Sequence, residues 1–289
     1  MTEASHSTRT YERIRVDRPA DGVARVTLAR PEAANAQDRA MLYEINDALD
    51  RASRDPEVKV IVLAADGVHY SSGHDLRDRA KLSEFDTVLP FGDFDAPGQE
   101  GYMSQEQEIY LGFCWRWRNL PKPTIASVQG KVIAGGLMLV WPFDIVIAAD
   151  DAQFSDPVVA FGANGHEYFV HPYEVGARKA KQMLFTGESI SAAEAHRLGM
   201  VNEVVARADL ESATLAMATK IAAQPLMGLK LAKQSVNMAM DNMGLWNTIQ
   251  AAFGLHHLSH SHNAQRFGMI VDPEGADRIR AQARAAKPS

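Results

Sequence analysis

The run Val58 to Ala64 constrains this chain more than any other segment, because it is almost continuously apolar. A strand that alternated apolar and polar residues would have one wet face; a continuous run suits a strand covered on both faces of a parallel sheet. The flanking pattern agrees. Val23 to Leu28 reads as a strand, followed by a loop at Pro31 and then by Asp38 heading a stretch with Met41, Leu42, Ile45, Leu49 and Ala52 on one helical face. Further strands are predicted at Thr124 to Val128, Asp144 to Ala148 and Val201 to Val205, with helices at Gln105 to Arg118 and Val175 to Phe185. Thr186-Gly187 closes the second of these, and Ser191-Ala-Ala-Glu194 is a capping box opening a short helix that stops at Gly199. Residues 78–104 break the alternation and read as a mobile surface loop. After Asp209 strand signals vanish, leaving helices over Leu210 to Ala223, Leu226 to Met240 and Leu245 to Leu258. The expected division is an α/β core over residues 1–207 and a helical region over residues 208–289.

Composition narrows the partners. Of 289 residues 46% are apolar, enough for a sizeable core, and the formal net charge of −6 with no basic block argues against nucleic acid. The polar start, Met1 to Arg15, shows no leader, and the longest apolar stretch, Val132 to Phe143, falls well short of the roughly 18 residues that span a membrane. A single cysteine, Cys114, excludes an intrachain disulfide and a cysteine zinc site, which fits a reducing, cytoplasmic setting.

Two glycine-rich turns each follow a predicted strand: Ser71-Ser-Gly-His-Asp-Leu-Arg77 and Gln129-Gly-Lys-Val-Ile-Ala-Gly-Gly136. Either alone can be a strand-ending turn. Two backbone N–H donors converging from separate strand ends can instead form an oxyanion hole, which stabilises charge developing on a carbonyl oxygen.

The order and wording of these motifs resemble the crotonase, or enoyl-CoA hydratase/isomerase, superfamily from about Val16 to the C-terminal helices. The resemblance rests on Ala29-Arg-Pro-Glu-Ala-Ala-Asn-Ala36, Ser72-Gly-His-Asp-Leu76, Pro123-Thr-Ile-Ala-Ser-Val-Gln-Gly-Lys-Val-Ile-Ala-Gly-Gly136, Asp144-Ile-Val-Ile-Ala-Ala149, Ala152-Gln-Phe154 and Leu198-Gly-Met-Val-Asn202. It implies a spiral of ββα units that binds an acyl-CoA thioester, with C-terminal helices that build homotrimers or hexamers, and no cofactor beyond the coenzyme A of the substrate. It places the oxyanion donors on the N–H groups of His74 and Gly135, leaving the His74 imidazole incidental. It further implies that Ala34 to Ala36 line the adenine pocket, that Ser72, Asp75 and Leu76 meet the CoA moiety, and that Arg77 meets its phosphates, for which a guanidinium is chemically apt.

Departure from the hydratase pattern is equally informative. The positions of the family's two catalytic glutamates carry Met138 and Val158, neither of which can transfer a proton. Candidate replacements are Asp156, His166 and Glu167; a carboxyl screened from water there has a raised pKa and can serve as general acid or base. Tyr168 and Phe169 are expected to pack around the acyl chain. His166 and His171 are spaced by five residues rather than the four of a zincin motif, about 140° apart on a helix, so that motif fails. His256, His257, His260 and His262 cluster without an acidic or cysteine neighbour in sequence, and are expected to be packing histidines rather than metal ligands. Trp115, Trp117, Leu111 and Phe113 likewise read as a core or subunit face. Three functions follow from the same turns: an enzyme hydrating or isomerising enoyl-CoA, a catalytically silent acyl-CoA-binding protein, and a hydrolase, decarboxylase or dehalogenase on the same fold.

Overall fold

The computed structural model describes residues 10–285. A hairpin of β1 (Ile14–Ala20) and β2 (Val23–Leu28) opens the fold, and α1 (Arg39–Arg54) leads into β3 (Val60–Ala65). The Asp38 carboxylate caps α1 by accepting the Met41 N–H at 2.8 Å, and Met41, Leu42, Ile45, Leu49 and Ala52 form its buried face as the sequence predicts. Next come α2 (Gln99–Glu106), a π-helical stretch (Gln107–Gly112) and α3 (Phe113–Arg118). Gly112 permits the wide turn, since a Cβ there would lie 2.4 Å from the Gln107 carbonyl oxygen.

Strands β4 (Thr124–Val128), β5 (Lys131–Ile133), β6 (Ile145–Ala149), β7 (Gln153–Ser155), β8 (Ile190–Ser191) and β9 (Glu203–Val205) complete two sheets. The larger runs β1-β2-β3-β4-β6-β9, parallel except for the first hairpin; the smaller is β5-β7-β8. The central strands bury both faces, and their side chains alternate between two cores. Ile61 and Leu63 join the main core with α1 and α3, whereas Val60 and Val62 face a second cluster with Ile125, Ile147 and Ala149. Full burial of each such side chain contributes roughly 1.5–3 kcal/mol.

The remaining helices are α4 (His171–Val175), α5 (Ala177–Thr186), α6 (Ala192–Leu198), α7 (Leu210–Ala222), α8 (Leu226–Asn242), α9 (Leu245–Phe267) and α10 (Gly275–Ala285). Gly176, at φ 76°, splits the helix expected over Val175 to Phe185 into α4 and α5. The second cluster is closed by Leu210, Ala218 and Ala222 of α7. A boundary at residue 207 therefore separates strand-bearing from helical chain, but α7 belongs to the core rather than to an appendage.

Residues 78–104 are not a free loop. Glu108, fully buried, accepts the N–H groups of Val88 and Leu89 at 2.6 and 2.9 Å, Gln105 Nε2 donates to the Phe94 carbonyl at 2.7 Å, and Asp78 pairs with Arg39 at 3.0 Å. The segment also holds the start of α2, six residues before the expected helix, whose packing partner is the distant α9.

Candidate active site

Residues 70–75 leave β3 and thread between two other segments. On one side Ser71 N–H donates to Lys131 O at 3.2 Å and Ile133 N–H to Ser71 O at 3.1 Å; on the other Gln37 N–H donates to Gly73 O at 2.8 Å and Asp75 N–H to Gln37 O at 2.9 Å. In this parallel pairing the central residue, His74, turns its own N–H away from Gln37. Gly135 lies close by: a Cβ on Gly73 would come within 3.3 Å of the Gly135 nitrogen. Gly135 is the second residue of the 3-10 helix Ala134–Leu139, where an N–H has no acceptor inside the helix. The two expected donors thus come from turns that the chain stitches together.

Bare glycine is needed at both positions of the second turn. A Cβ at Gly136 would sit 2.7 Å from the Ser71 carbonyl oxygen, and one at Gly135 would sit 2.4 Å from His74 Cδ2. Gln37, unremarked in the sequence, clamps the two turns: its buried Nε2 donates to Gly135 O at 2.8 Å and to Ser71 Oγ at 3.1 Å.

The His74 ring is more than a bystander. It stacks on Tyr110 with centroids 3.8 Å apart, and burial lowers its pKa to about 4, so the imidazole is neutral at physiological pH. Its Nδ1 lies 3.9 Å from Glu167 Oε1. Glu167 is 6% exposed, Oε2 has no hydrogen-bond partner, and burial, reinforced by the charge of Glu106, pushes its pKa well above the usual carboxylate range. A buried carboxyl with a raised pKa is a stronger base when ionised and can return the proton it takes.

Asp156, the other candidate carboxyl for general acid or base, stands in the opposite environment. Burial disfavours its charge, but the His171 hydrogen bond, the nearby imidazoles and the His166 N–H outweigh that and keep the carboxyl well below its ordinary range. Its oxygens accept Val158 N–H at 3.1 Å, His166 N–H at 3.0 Å and His171 Nε2 at 2.8 Å, so it anchors the 156–171 segment. His166 meets Asp156 through its backbone; its ring nitrogens are buried without partners beside Trp141, with the pKa pushed well below the ordinary value by burial. The helical-spacing argument against His166 and His171 fails for a geometric reason: only His171 lies on a helix, and the two rings meet with centroids 4.7 Å apart.

At the proposed CoA side, Ala34 and Asn35 adopt left-handed conformations, both at φ 49°, and the buried Asn35 fixes that loop by donating to Asp66 O and His69 O. Leu76 is 75% exposed, Arg77 is exposed, and among the described residues no carboxylate pairs with the Arg77 guanidinium. Asp75 faces inward instead, bridging the Arg77 N–H and the Arg30 guanidinium at 3.0 Å each. Met138, 2% exposed, is three residues beyond Gly135 on a 3-10 helix, where such positions eclipse, so an apolar thioether stands on the Gly135 face.

The family model described as Enoyl-CoA hydratase/isomerase matches residues 18–274. The chain belongs to the enoyl-CoA hydratase/isomerase family. Among its relatives, "Putative enoyl-CoA hydratase EchA13" of Mycobacterium tuberculosis is 40% identical over 268 residues, covering 90% of this chain and 84% of that protein. A crystal structure from Mycobacterium smegmatis, titled as a "probable enoyl-CoA hydratase", superposes with a TM-score of 0.82 at 44% identity over 90% of this chain and 98% of its own. An enoyl-CoA hydratase/isomerase from Xanthobacter autotrophicus superposes with a TM-score of 0.77 at 30% identity over 97% and 100% of the two chains. The crotonase fold read from the sequence is therefore the fold of this family member.

Sequence reasoning missed two residues packed against the candidate site, Tyr110 and Glu106. Both lie on the stripe Glu106, Tyr110, Phe113, Trp117, buried but for the half-buried Tyr110, whose spacing of three and four residues was visible as a helical face interrupted by a carboxylate. Glu106 meets the α9 histidines: His257 Nε2 at 3.2 Å, His260 Nε2 at 3.4 Å and His256 Nε2 at 3.7 Å. The acidic neighbour absent from their sequence surroundings arrives from α2.

Proposed function

We propose that this chain acts on an unsaturated acyl-CoA, holding the thioester oxygen between the N–H groups of His74 and Gly135 while Glu167 moves the proton. The observation that carries the reading is the placement of a buried carboxyl of raised pKa, one oxygen without a partner, against the ring of the residue whose N–H is the assigned donor. Negative charge on the enolate oxygen is stabilised more than the ground-state carbonyl is, which lowers the barrier. Ionised, Glu167 takes a proton from one carbon of the acyl chain, the C–H electron pair moving into the enolate, and then returns that proton to a carbon two positions along, which shifts the double bond. One shuttling carboxyl suffices for double-bond isomerisation, whereas hydration also needs an activated water, and the two glutamates that share that work elsewhere are Met138 and Val158 here. We assign Arg77 to the CoA phosphates and the loop Ala34 to Ala36 to adenine, with Ser72 and Leu76 along the path and Asp75 bracing it. The coenzyme A belongs to the substrate, and the reading assigns no separate organic cofactor.

A homotrimer or hexamer is supported by α8, which buries no residue within the chain yet exposes Met227, Leu231 and Met238 at 65%, 49% and 57% along one face. No helix among the described residues is long and apolar enough to cross a membrane. A cytoplasmic setting is supported by the single, buried thiol of Cys114.

The test is to incubate the purified protein with a panel of enoyl-CoA thioesters, following the conjugated absorbance and the product mass. Isomerisation leaves the mass unchanged and hydration adds one water. Glu167→Gln is expected to reduce turnover by about 10²- to 10⁴-fold with thioester affinity retained. Affinity without turnover in the unaltered protein would favour the silent binding reading that Met138 and Val158 suggest.

A further inference from the structure

The cluster formed by Glu106, His256 and His260 has the geometry of a metal-ligand set. Two of the three α9 imidazoles have Nδ1 held by a backbone carbonyl, His256 by Gly165 O at 2.9 Å and His260 by Ile270 O at 2.8 Å, whereas His257 Nδ1 stands 3.4 Å from the Gln99 side-chain amide, which can donate to it and leave the proton on Nε2. A carbonyl oxygen can only accept, so Nδ1 of His256 and of His260 carries the proton and a neutral ring presents a lone pair at Nε2. Those lone pairs face a carboxylate, which also has only lone pairs. Neither Nε2 hydrogen-bonds, and Glu106 Oε2 has no partner, although all are buried. Four buried polar atoms, with His257 Nε2, are thus left unsatisfied at one point, where a native interior leaves few.

A shared cation resolves all of this at once. The separations of 3.4 Å from His260 Nε2 to Glu106 Oε1 and 3.7 Å from His256 Nε2 to Glu106 Oε2 are longer than the usual ~2.7–3.2 Å of an N–H···O bond. They are close to the edge of a tetrahedron whose ligands stand about 2.0–2.2 Å from a central ion, roughly 3.4 Å. All three ligand atoms lie within 4.8 Å of one another. His257 Nε2, 3.2 Å from Glu106 Oε2, is placed to brace the carboxylate from outside.

We propose that Glu106, His256 and His260 bind a divalent first-row transition metal, with His257 positioning Glu106. Two imidazoles and one carboxylate suit zinc, cobalt, iron or manganese far better than calcium or magnesium, which prefer all-oxygen shells. The site borders the catalytic one, because His256 Nε2 also lies 3.6 Å from Glu167 Oε1. The second buried group, Asp156, His166 and His171, makes no such set, since His171 Nε2 already donates to Asp156 and both Asp156 oxygens are taken. The inference stands on the cluster itself and does not require the acyl-CoA reading.

The experiment is metal loading of the chelator-treated full chain, using Co2+ and Zn2+ alone as probes. Uptake of about one Co2+ per chain is expected, with visible d–d absorption of a low-coordinate site displaced by Zn2+. His260→Gln and Glu106→Gln should abolish uptake, His257→Phe should weaken it about 10- to 100-fold, and His262→Ala, an exposed histidine outside the cluster, should leave it unchanged. X-ray absorption of the unaltered Co2+ protein should count two imidazoles and needs no variant to fold. No uptake by the unaltered chain, or uptake that survives both His260→Gln and Glu106→Gln, overturns the proposal and leaves a protonated His260 paired with Glu106. Thioester binding by calorimetry, run alongside, reports on the acyl-CoA reading separately.

Discussion

Adding a single methyl group at Gly135 probes the site more sharply than removing any side chain. The three nearest atoms that a Cβ would meet there all belong to His74: Cδ2 at 2.4 Å, Nε2 at 2.6 Å and Cγ at 3.2 Å. Ordinary carbon contacts are about 3.5–4.0 Å, so the ring must retreat by roughly 1 Å or more. It has little room to do so, being stacked on Tyr110 at 3.8 Å. Overpacking of this kind costs about 1–3 kcal/mol, and disturbing an aromatic pair about 0.5–1.5 kcal/mol. Gly135→Ala should therefore destabilise by about 1–3 kcal/mol, read as a lower urea midpoint by tryptophan fluorescence. In a His74→Ala background the obstruction is gone, and the same substitution should cost within about 0.5 kcal/mol of nothing, giving a coupling of about 1–3 kcal/mol in the double-mutant cycle. Turnover should separate the variants too: His74→Ala keeps its backbone donor and stays active, whereas Gly135→Ala moves the donor turn and loses rate. An equal cost of Gly135→Ala in both backgrounds would show that the backbone, not the His74 ring, limits this position, and the packing argument would fail.

Two further outcomes are expected. His74 and His256 both have pKa values lowered to about 4 by burial, so between about pH 6.5 and 4 the unfolded chain binds protons there that the folded chain does not, and stability falls on acidification by up to ~1.4 kcal/mol per pH unit for each. Glu167, with its pKa raised, works the other way: its contribution is fully present below the ordinary carboxyl range and is lost as pH rises through its folded value. Glu167→Gln should accordingly steepen the loss of stability between pH 7 and 5 in urea melts; an unchanged slope would mean Glu167 is ionised in the fold. Arg77→Ala should weaken CoA thioester binding by about 1–3 kcal/mol in calorimetry, with the unaltered affinity falling as salt rises, and equal affinities would remove Arg77 from the phosphate site.

The sheet was legible because its central strands are covered on both faces and so read as apolar runs; Val60 to Ala65 could hardly be anything else. The smaller sheet was not, since β5, β7 and β8 have only two or three residues each, too few to show a period. Both glycine turns were visible, yet Gln37, which joins them, sits in an ordinary loop and gains its meaning only from partners far along the chain. Asp156 and Glu167 look alike as letters. The opposite shifts of their pKa values follow from hydrogen-bond supply, with three donors on Asp156 and an unpartnered oxygen on Glu167, and sequence spacing carries no trace of it. Glu106 meets its histidines because α2 lies against α9, a pairing that local pattern cannot forecast.

The π-helical stretch between α2 and α3 sets the rotational phase of everything before it. An α-helix turns by about 100° per residue, so removing one residue from Gln107–Gly112 to restore regular winding would leave Phe113 and Trp117 in the core while swinging Glu106 around the axis, away from α9. A one-codon deletion there disconnects the carboxylate from three intact histidines and moves Tyr110 off His74 as well. Length variation in this stretch therefore rewires the neighbourhood of Glu167 without altering a single side chain that composes it.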